Sequence, residues 1–107
     1  MQPSRLQQVV SSALGALGVV HESEYAIDCL VVDIALPAER VAVEVQGPTH
    51  YFVNDKRREV GHTRFKHRLL RGLGWRVVSV PYLEWNGLRS KLAHAQYLKQ
   101  LLSIGGP

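Results

Sequence analysis

The stretch VVDIALPAERVAVEVQGPTH, residues 31–50, contains two segments in which side chains alternate with a period of two. Residues 31–36 carry Asp33 in the first segment, and residues 40–46 carry Glu44 among three valines in the second. This period and the β-branched residues are typical of strands, and Pro37 between the segments favours a turn. Two adjacent antiparallel strands would place Asp33 and Glu44 side by side on one face of a sheet.

This pair of carboxylates needs a partner, because burying an isolated charge is costly. A metal ion, a basic ligand, a nearby Lys or Arg, or exposure to solvent would each suffice. An acid on one strand and an acid-x-polar pattern on the next suit phosphodiester cleavage assisted by Mg²⁺ or Mn²⁺. Asp33 and Glu44 would hold the metal, Gln46 would orient a water, and His50 could reach the metal or the phosphate. The alternative is that Asp33 lies at a sheet edge and Glu44 pairs with a basic side chain.

The remaining patterns predict the order α-β-β-β-α-β-α within one domain, residues 1–107. Helices are expected at residues 4–17, 61–73 and 88–102. In the second helix, the apolar stripe is formed by Phe65, Leu69, Leu70 and Leu73. Strands are expected at residues 19–24, 27–36, 40–46 and 75–81, with a polar loop at 50–60 and a turn at 82–87. A helix between the last two strands permits a parallel crossover, so we expect a mixed α/β sheet flanked by helices.

Composition favours a polyanionic partner and gives no sign of a membrane segment. The net charge is +4 and the sequence pI is about 9.6. The sequence has no apolar stretch of a length that could cross a membrane.

Basic residues concentrate between positions 56 and 76, which hold eight of the thirteen lysines and arginines. Each contact of this kind with a phosphate adds affinity that depends on salt. The alternative is a solvated helix face next to a charged loop. The residues predicted to contact the phosphates of a nucleic acid, and to bind RNA if the resemblance described next holds, are Lys56, Arg57, Arg58, His62, Arg64, Lys66, His67, Arg68 and Arg71.

The segments VDIALP, VAVEVQGPTHY and GHTRFKHRLLRGLGWRVVSVPYLEW resemble the RAP domain over residues 25–102. This resemblance implies a fold related to the restriction-endonuclease (PD-(D/E)XK) group, close to very-short-patch-repair endonucleases. It also implies a role in the maturation, stability or translation of RNA in the mitochondrion or chloroplast, often beside helical-repeat RNA-binding segments. The family pattern usually has Asp at the position of Gln46, so the neutral residue here removes one candidate metal ligand and weakens the case for catalysis.

Three functions are consistent with these observations. The first is an RNA-binding domain of nuclease-like fold, with single-stranded RNA as its partner. The second is a metal-dependent endoribonuclease that uses Asp33 and Glu44. The third is a protein-interaction module in which the nuclease face is vestigial.

Overall fold

The computed structural model describes residues 5–46 and 56–103, and the side chains of residues 56–63 lie outside that description. Helix α1 (Arg5–Ala16) precedes three strands, β1 (Glu22–Ile27), β2 (Leu30–Leu36) and β3 (Val41–Gln46). They are followed by α2 (Lys56–Gly72), β4 (Arg76–Pro81), α3 (Tyr82–Asn86) and α4 (Lys91–Ser103). This is the predicted order with one short helix, α3, added. None of the helices in the described part is both long and apolar enough to span a bilayer.

The four strands form one mixed sheet in the order β1-β2-β3-β4. Strands β1, β2 and β3 pair antiparallel, and the β2–β3 register places Ile34 opposite Val43. Strand β4 runs parallel to β3, with α2 as the crossover between them. The predicted hairpin and the predicted parallel crossover are both confirmed.

Each face of the sheet carries its own apolar cluster, as alternation along β3 shows. Val41 and Val43 pack with Val10 and Leu14 of α1 and with other residues of α3 and α4, whereas Ala42 packs in a second cluster with Leu70 of α2. The clusters are contiguous apolar cores of the kind that stabilise a small domain. Helices α1 and α4 therefore cover one face, and α2 covers the other.

Strand β1 differs from the prediction in its limits. The expected strands at 19–24 and 27–36 are instead β1 and β2, which are joined by a two-residue turn at Asp28 and Cys29. Asp28 has a φ of 55°, the left-handed conformation that two-residue hairpins use and that Asp tolerates. The continuous β-like character of the sequence concealed this turn.

The alternation in β2 is also interrupted. Val32 packs in the α2-side cluster, whereas Ile34 and Leu36 pack in the opposite one. The interruption falls at Asp33, beside Glu24 of β1, whose φ is 51°. The regular period of two predicted for residues 31–36 was therefore wrong for this strand, because it changes its regular pleat at this point.

Helix α2 begins earlier and is rotated relative to the prediction. Residues 56–60 are helical rather than a loop, since Lys, Arg and Glu are good helix formers despite their polarity. Leu70 is fully buried, but Phe65, Leu69 and Leu73 are exposed. Lys66 and Leu70, one turn apart, lie on the side that meets the sheet. The stretch at 82–87 predicted as a turn contains α3, which buries Trp85.

Candidate functional site

Asp33 and Glu44 lie next to each other where the paired part of the β2–β3 hairpin ends. The Asp33 backbone N–H donates to Glu44 Oε2 at 3.1 Å, and the Val45 N–H donates to Asp33 Oδ2 at 2.8 Å. Each carboxylate thus accepts a backbone hydrogen bond from the strand that carries the other. These bonds satisfy strand N–H groups that a buried sheet cannot leave without a partner.

Glu44 is buried, with 8% of its surface exposed, and its counter-ion comes from α2. Lys66 Nζ lies 2.5 Å from Glu44 Oε1. The lysine side chain is itself only 28% exposed. An ion pair with this geometry offsets part of the desolvation of both groups. The pair fixes the central part of α2 to β3, on the face of the sheet that α2 covers.

Two further polar residues, neither of which was predicted from the sequence, complete this cluster. Gln7 of α1 is buried, and its Nε2 donates to Glu24 Oε2 and to the Asp33 carbonyl oxygen, each at 3.0 Å. Gln7 follows the helical spacing of the buried Val10 and Leu14, so a polar residue within that stripe was the available signal. Glu24 could be recognised as a member of the cluster only once the register between β1 and β2 was known.

Burial raises the pKa of Asp33 to about 6, and the negative charge of Glu44 adds to the rise. The Val45 N–H and the ammonium of Lys66 act in the opposite direction by stabilising the carboxylate. Burial also shifts the pKa of His67, but downward, because the charged form of histidine is the protonated one. Its Nε2 is buried and has no hydrogen-bond partner in the described structure. His67 is therefore placed toward the protein interior.

The Asp33→Asn variant tests this pKa, because asparagine keeps an oxygen that can accept from Val45. The pKa of Asp33 is higher in the folded state than its ordinary value of 3.8. Its favourable contribution to folding is therefore present below pH 4 and is lost as the pH rises through about 6. We expect the stability of Asp33→Asn relative to wild type to rise by about 1–2 kcal/mol between pH 4 and 7, after allowance for partial exposure. Urea unfolding across this range measures the difference, and a difference that does not change with pH would contradict the assignment.

The described residues do not fit a resident Mg²⁺ or Mn²⁺ ion. Glu44 Oε1, Glu44 Oε2 and Asp33 Oδ2 already face protein donors. In the described ranges, no group of three or more His, Cys, Asp or Glu side chains is positioned to hold a metal. Hard divalent cations require several oxygen ligands, and a lysine ammonium at the carboxylate competes with them. Gln46 lies half-buried at the end of β3, and His50 lies outside the described residues.

The predicted basic residues fall into three groups. Arg64, Arg68 and Arg71 are exposed on α2. Their spacing of four and three residues places them on one side of the helix. Lys66 and His67 are half-buried, with Lys66 paired to Glu44. The remaining four, Lys56, Arg57, Arg58 and His62, lie in α2, but their side chains are outside the described part.

Comparison with known proteins identifies a matching family and two proteins of similar sequence. The family model "RAP domain" matches residues 43–101, more than half of the chain. The "RAP domain-containing protein, chloroplastic" of Oryza sativa subsp. japonica is 35% identical over 101 residues, which are 94% of this chain and 16% of that protein. The "FAST kinase domain-containing protein 3, mitochondrial" of Bos taurus is 39% identical over 61 residues, 57% of this chain and 9% of that protein. The chain thus spans a small fraction of these relatives.

Among solved structures, the catalytic domain of homing endonuclease I-Bth0305I has the same fold. It aligns with a TM-score of 0.71 over 97% of this chain and 99% of that one, at 19% identity. The predicted restriction-endonuclease-like α/β fold is therefore confirmed. A likeness at this level of identity concerns the fold alone, because one fold can support unrelated activities.

Proposed function

Because the chain belongs to the RAP domain family, an organellar RNA-related group, we propose that it is an RNA-binding domain with α2 as its phosphate-binding element. The partner we assign is single-stranded RNA, and the biological setting is RNA processing, stability or translation. The exposed side of α2 that carries Arg64, Arg68 and Arg71 is hereafter the arginine face. The observation that supports the proposal most directly is this face on a helix held firmly against a nuclease-like sheet.

The arginine face has the chemistry that a polyanion requires. Guanidinium groups stay charged at all physiological pH values and can hold phosphate oxygens with two hydrogen bonds. Phe65, 57% exposed, follows Arg64 directly and offers a ring on which an unstacked base could lie. Lys66 is already neutralised by Glu44, so we assign it an anchoring role rather than contact with phosphate.

The attachment of α2 to the sheet, in which Glu44 takes part, supports the same proposal. Leu70 and Lys66 attach consecutive turns of the helix to the sheet, through apolar packing and an ion pair. A rigid attachment lowers the entropy that binding must overcome, because the arginine backbone positions are fixed beforehand. In this proposal, Asp33 and Glu44 are structural residues on a fold that other proteins use for cleavage.

The biological setting follows from the named relatives. One is described as chloroplastic and the other as mitochondrial, so we place this chain in an organelle. Since it spans only a small part of each relative, we propose that it works beside further RNA-binding segments, such as helical repeats, in a longer protein. Linking several weak modules raises the overall affinity without any new contact in this domain.

The experiment that tests the proposal is a titration of labelled single-stranded RNA, followed by fluorescence anisotropy between 50 and 300 mM salt. We expect binding that weakens with salt, with a slope in log K of roughly −0.7 per phosphate contacted, or about −2 for three arginines. Binding that is absent at low salt, or insensitive to salt, would contradict the proposal.

The same samples distinguish the two alternatives when they are incubated with and without Mg²⁺ or Mn²⁺ and examined on a denaturing gel. RNA that remains intact in both conditions agrees with a binding domain. Cleavage that requires the metal and disappears in both Asp33→Asn and Glu44→Gln would instead establish an endoribonuclease. A domain that neither binds nor cleaves RNA would point to the protein-interaction module.

A further inference from the structure

A cavity of about 350 Å³ opens on the α2 side of the sheet, beyond the C-terminal end of that helix. We call it the Trp75 pocket. Its volume lies within the range of small-molecule sites in proteins. It is lined by the end of β1, the β2–β3 turn and the connection from α2 to β4. The lining residues are Tyr25, Ile27, Asp28, Pro37, Arg40, Leu73 and Trp75.

Two aromatic rings and two charged groups define the chemistry of the Trp75 pocket. The Tyr25 and Trp75 rings lie with their centroids 6.0 Å apart and their planes inclined at 47°. Both rings pack against the α2-side cluster, so their positions are fixed by the core. Asp28 and Arg40, by contrast, are exposed. The Arg40 guanidinium crosses Gly74, where a Cβ would lie 3.3 Å from Arg40 Nη1.

The backbone at both charged residues adopts a conformation that most side chains disfavour. Asp28 and Arg40 each have a φ of 55°. Asp tolerates this region. Arginine does so at a cost in conformational energy that glycine, which has no Cβ, would avoid. Arg40 ends the β2–β3 turn, and its carbonyl oxygen accepts from the Arg76 N–H at 2.9 Å. Backbone strain of this kind is concentrated at residues that bind ligands.

We propose that the Trp75 pocket receives one unstacked base of single-stranded RNA, with guanine preferred. The base would lie against the Tyr25 and Trp75 rings, as bases do in proteins that read single strands. The Asp28 carboxylate has two acceptor oxygens, which match the two adjacent donors of guanine, N1–H and the N2 amino group. Adenine, cytosine and uracil do not present two adjacent donors on that edge. Arg40 supplies a cation for the attached phosphate.

The position of the Trp75 pocket relative to α2 supports RNA as the source of that base. Leu73 and Trp75 follow α2 almost directly, and Arg71 of the arginine face lies in its last turn. A strand that follows the arginine face would therefore reach the pocket at the end of the helix. This inference rests on the proposed RNA-binding function, and it adds base selection to a contact that is otherwise independent of sequence.

The test is a titration of the 107-residue chain with 5′-GMP, 5′-AMP, 5′-CMP and 5′-UMP, followed by NMR of the indole N–H groups. The chain has two tryptophans, and Trp85 is buried in the opposite cluster, so it serves as an internal control. We expect GMP to shift the Trp75 signal, to leave that of Trp85 in place, and to bind more tightly than the other three nucleotides. Asp28→Asn keeps a residue suited to the left-handed turn, and it should reduce the preference for GMP over AMP by at least about fivefold.

Arg40→Gly provides a second variant that relieves the backbone instead of disturbing it. We expect it to unfold at a urea concentration no lower than that of the wild type, while its affinity for GMP falls. Equal binding of all four nucleotides, or a Trp75 signal that does not move, would overturn the proposed pocket.

A parallel titration with oligouridylate separates this failure from that of the proposed function. Oligouridylate that binds with the expected salt dependence, while GMP leaves Trp75 unmoved, retains the arginine face and removes the pocket. If GMP binds but no RNA does, both the RNA-binding function and the assignment of the pocket to an RNA base are overturned.

Discussion

Replacing Arg64, Arg68 and Arg71 together by alanine is expected to weaken binding of single-stranded RNA by on the order of 100-fold at 100 mM salt. The three guanidinium groups share one exposed side of α2, so a single strand can contact all of them. Their loss should also reduce the salt dependence by about two in log–log slope, at roughly 0.7 per phosphate contact. Alanine is the best helix former, so α2 should remain folded in this variant.

A matched control removes the same charge from another part of the surface. Arg89, Lys91 and Lys99 are exposed residues of the α3–α4 region, and their replacement by alanine also lowers the net charge of +4 by three. If the arginine face is the binding surface, this control should lose only the small, non-specific part of the affinity. Equal losses in the two triple variants would show that RNA responds to net charge alone and would contradict the assignment to α2.

The second large effect is expected at the Lys66–Glu44 ion pair. Lys66→Met should lower the free energy of unfolding by about 2–3 kcal/mol, because it leaves the buried Glu44 carboxylate without its counter-ion. This figure lies toward the lower end for buried pairs because the lysine side chain is partly exposed. Methionine retains the apolar length of the lysine chain, so the packing against the sheet is largely preserved. Urea unfolding at pH 7 measures the change.

The reverse substitution is the control that identifies the cause. Glu44→Gln should cost clearly less, because Lys66 can extend toward water and because the repulsion between Glu44 and Asp33 is removed. Glu44→Gln combined with Lys66→Met should recover part of the stability lost in Lys66→Met alone. Additive losses in the double variant would show that the two side chains do not act as a pair.

The same double variant separates anchoring from phosphate contact. If Lys66 acts only through Glu44, a folded double variant should bind RNA nearly as tightly as the wild type. An affinity loss comparable to that of the arginine triple variant would mean that Lys66 contacts RNA directly.

The local patterns of the sequence determined most of the fold. Two strand-like segments on either side of Pro37 were sufficient to predict the β2–β3 hairpin and the adjacency of Asp33 and Glu44, because pairing across a short turn leaves few registers. The helix between β3 and β4 favoured the parallel crossover, because parallel neighbours need a long connection that is usually a helix. The motifs that resemble the RAP domain were sufficient to identify the family.

Only the tertiary structure decided which side of α2 meets the sheet and which cation serves Glu44. The apolar stripe predicted to be buried was Phe65, Leu69, Leu70 and Leu73. Of these only Leu70 is buried, and the helix is rotated so that Lys66 faces inward beside it. Periodicity shows which residues share a side of a helix. It does not show which side faces a buried carboxylate on another element, whose charge needs a counter-ion. The contacts of Gln7 and the lining of the Trp75 pocket likewise join segments far apart in the chain. Their geometry depends on how the elements pack, which no local pattern contains.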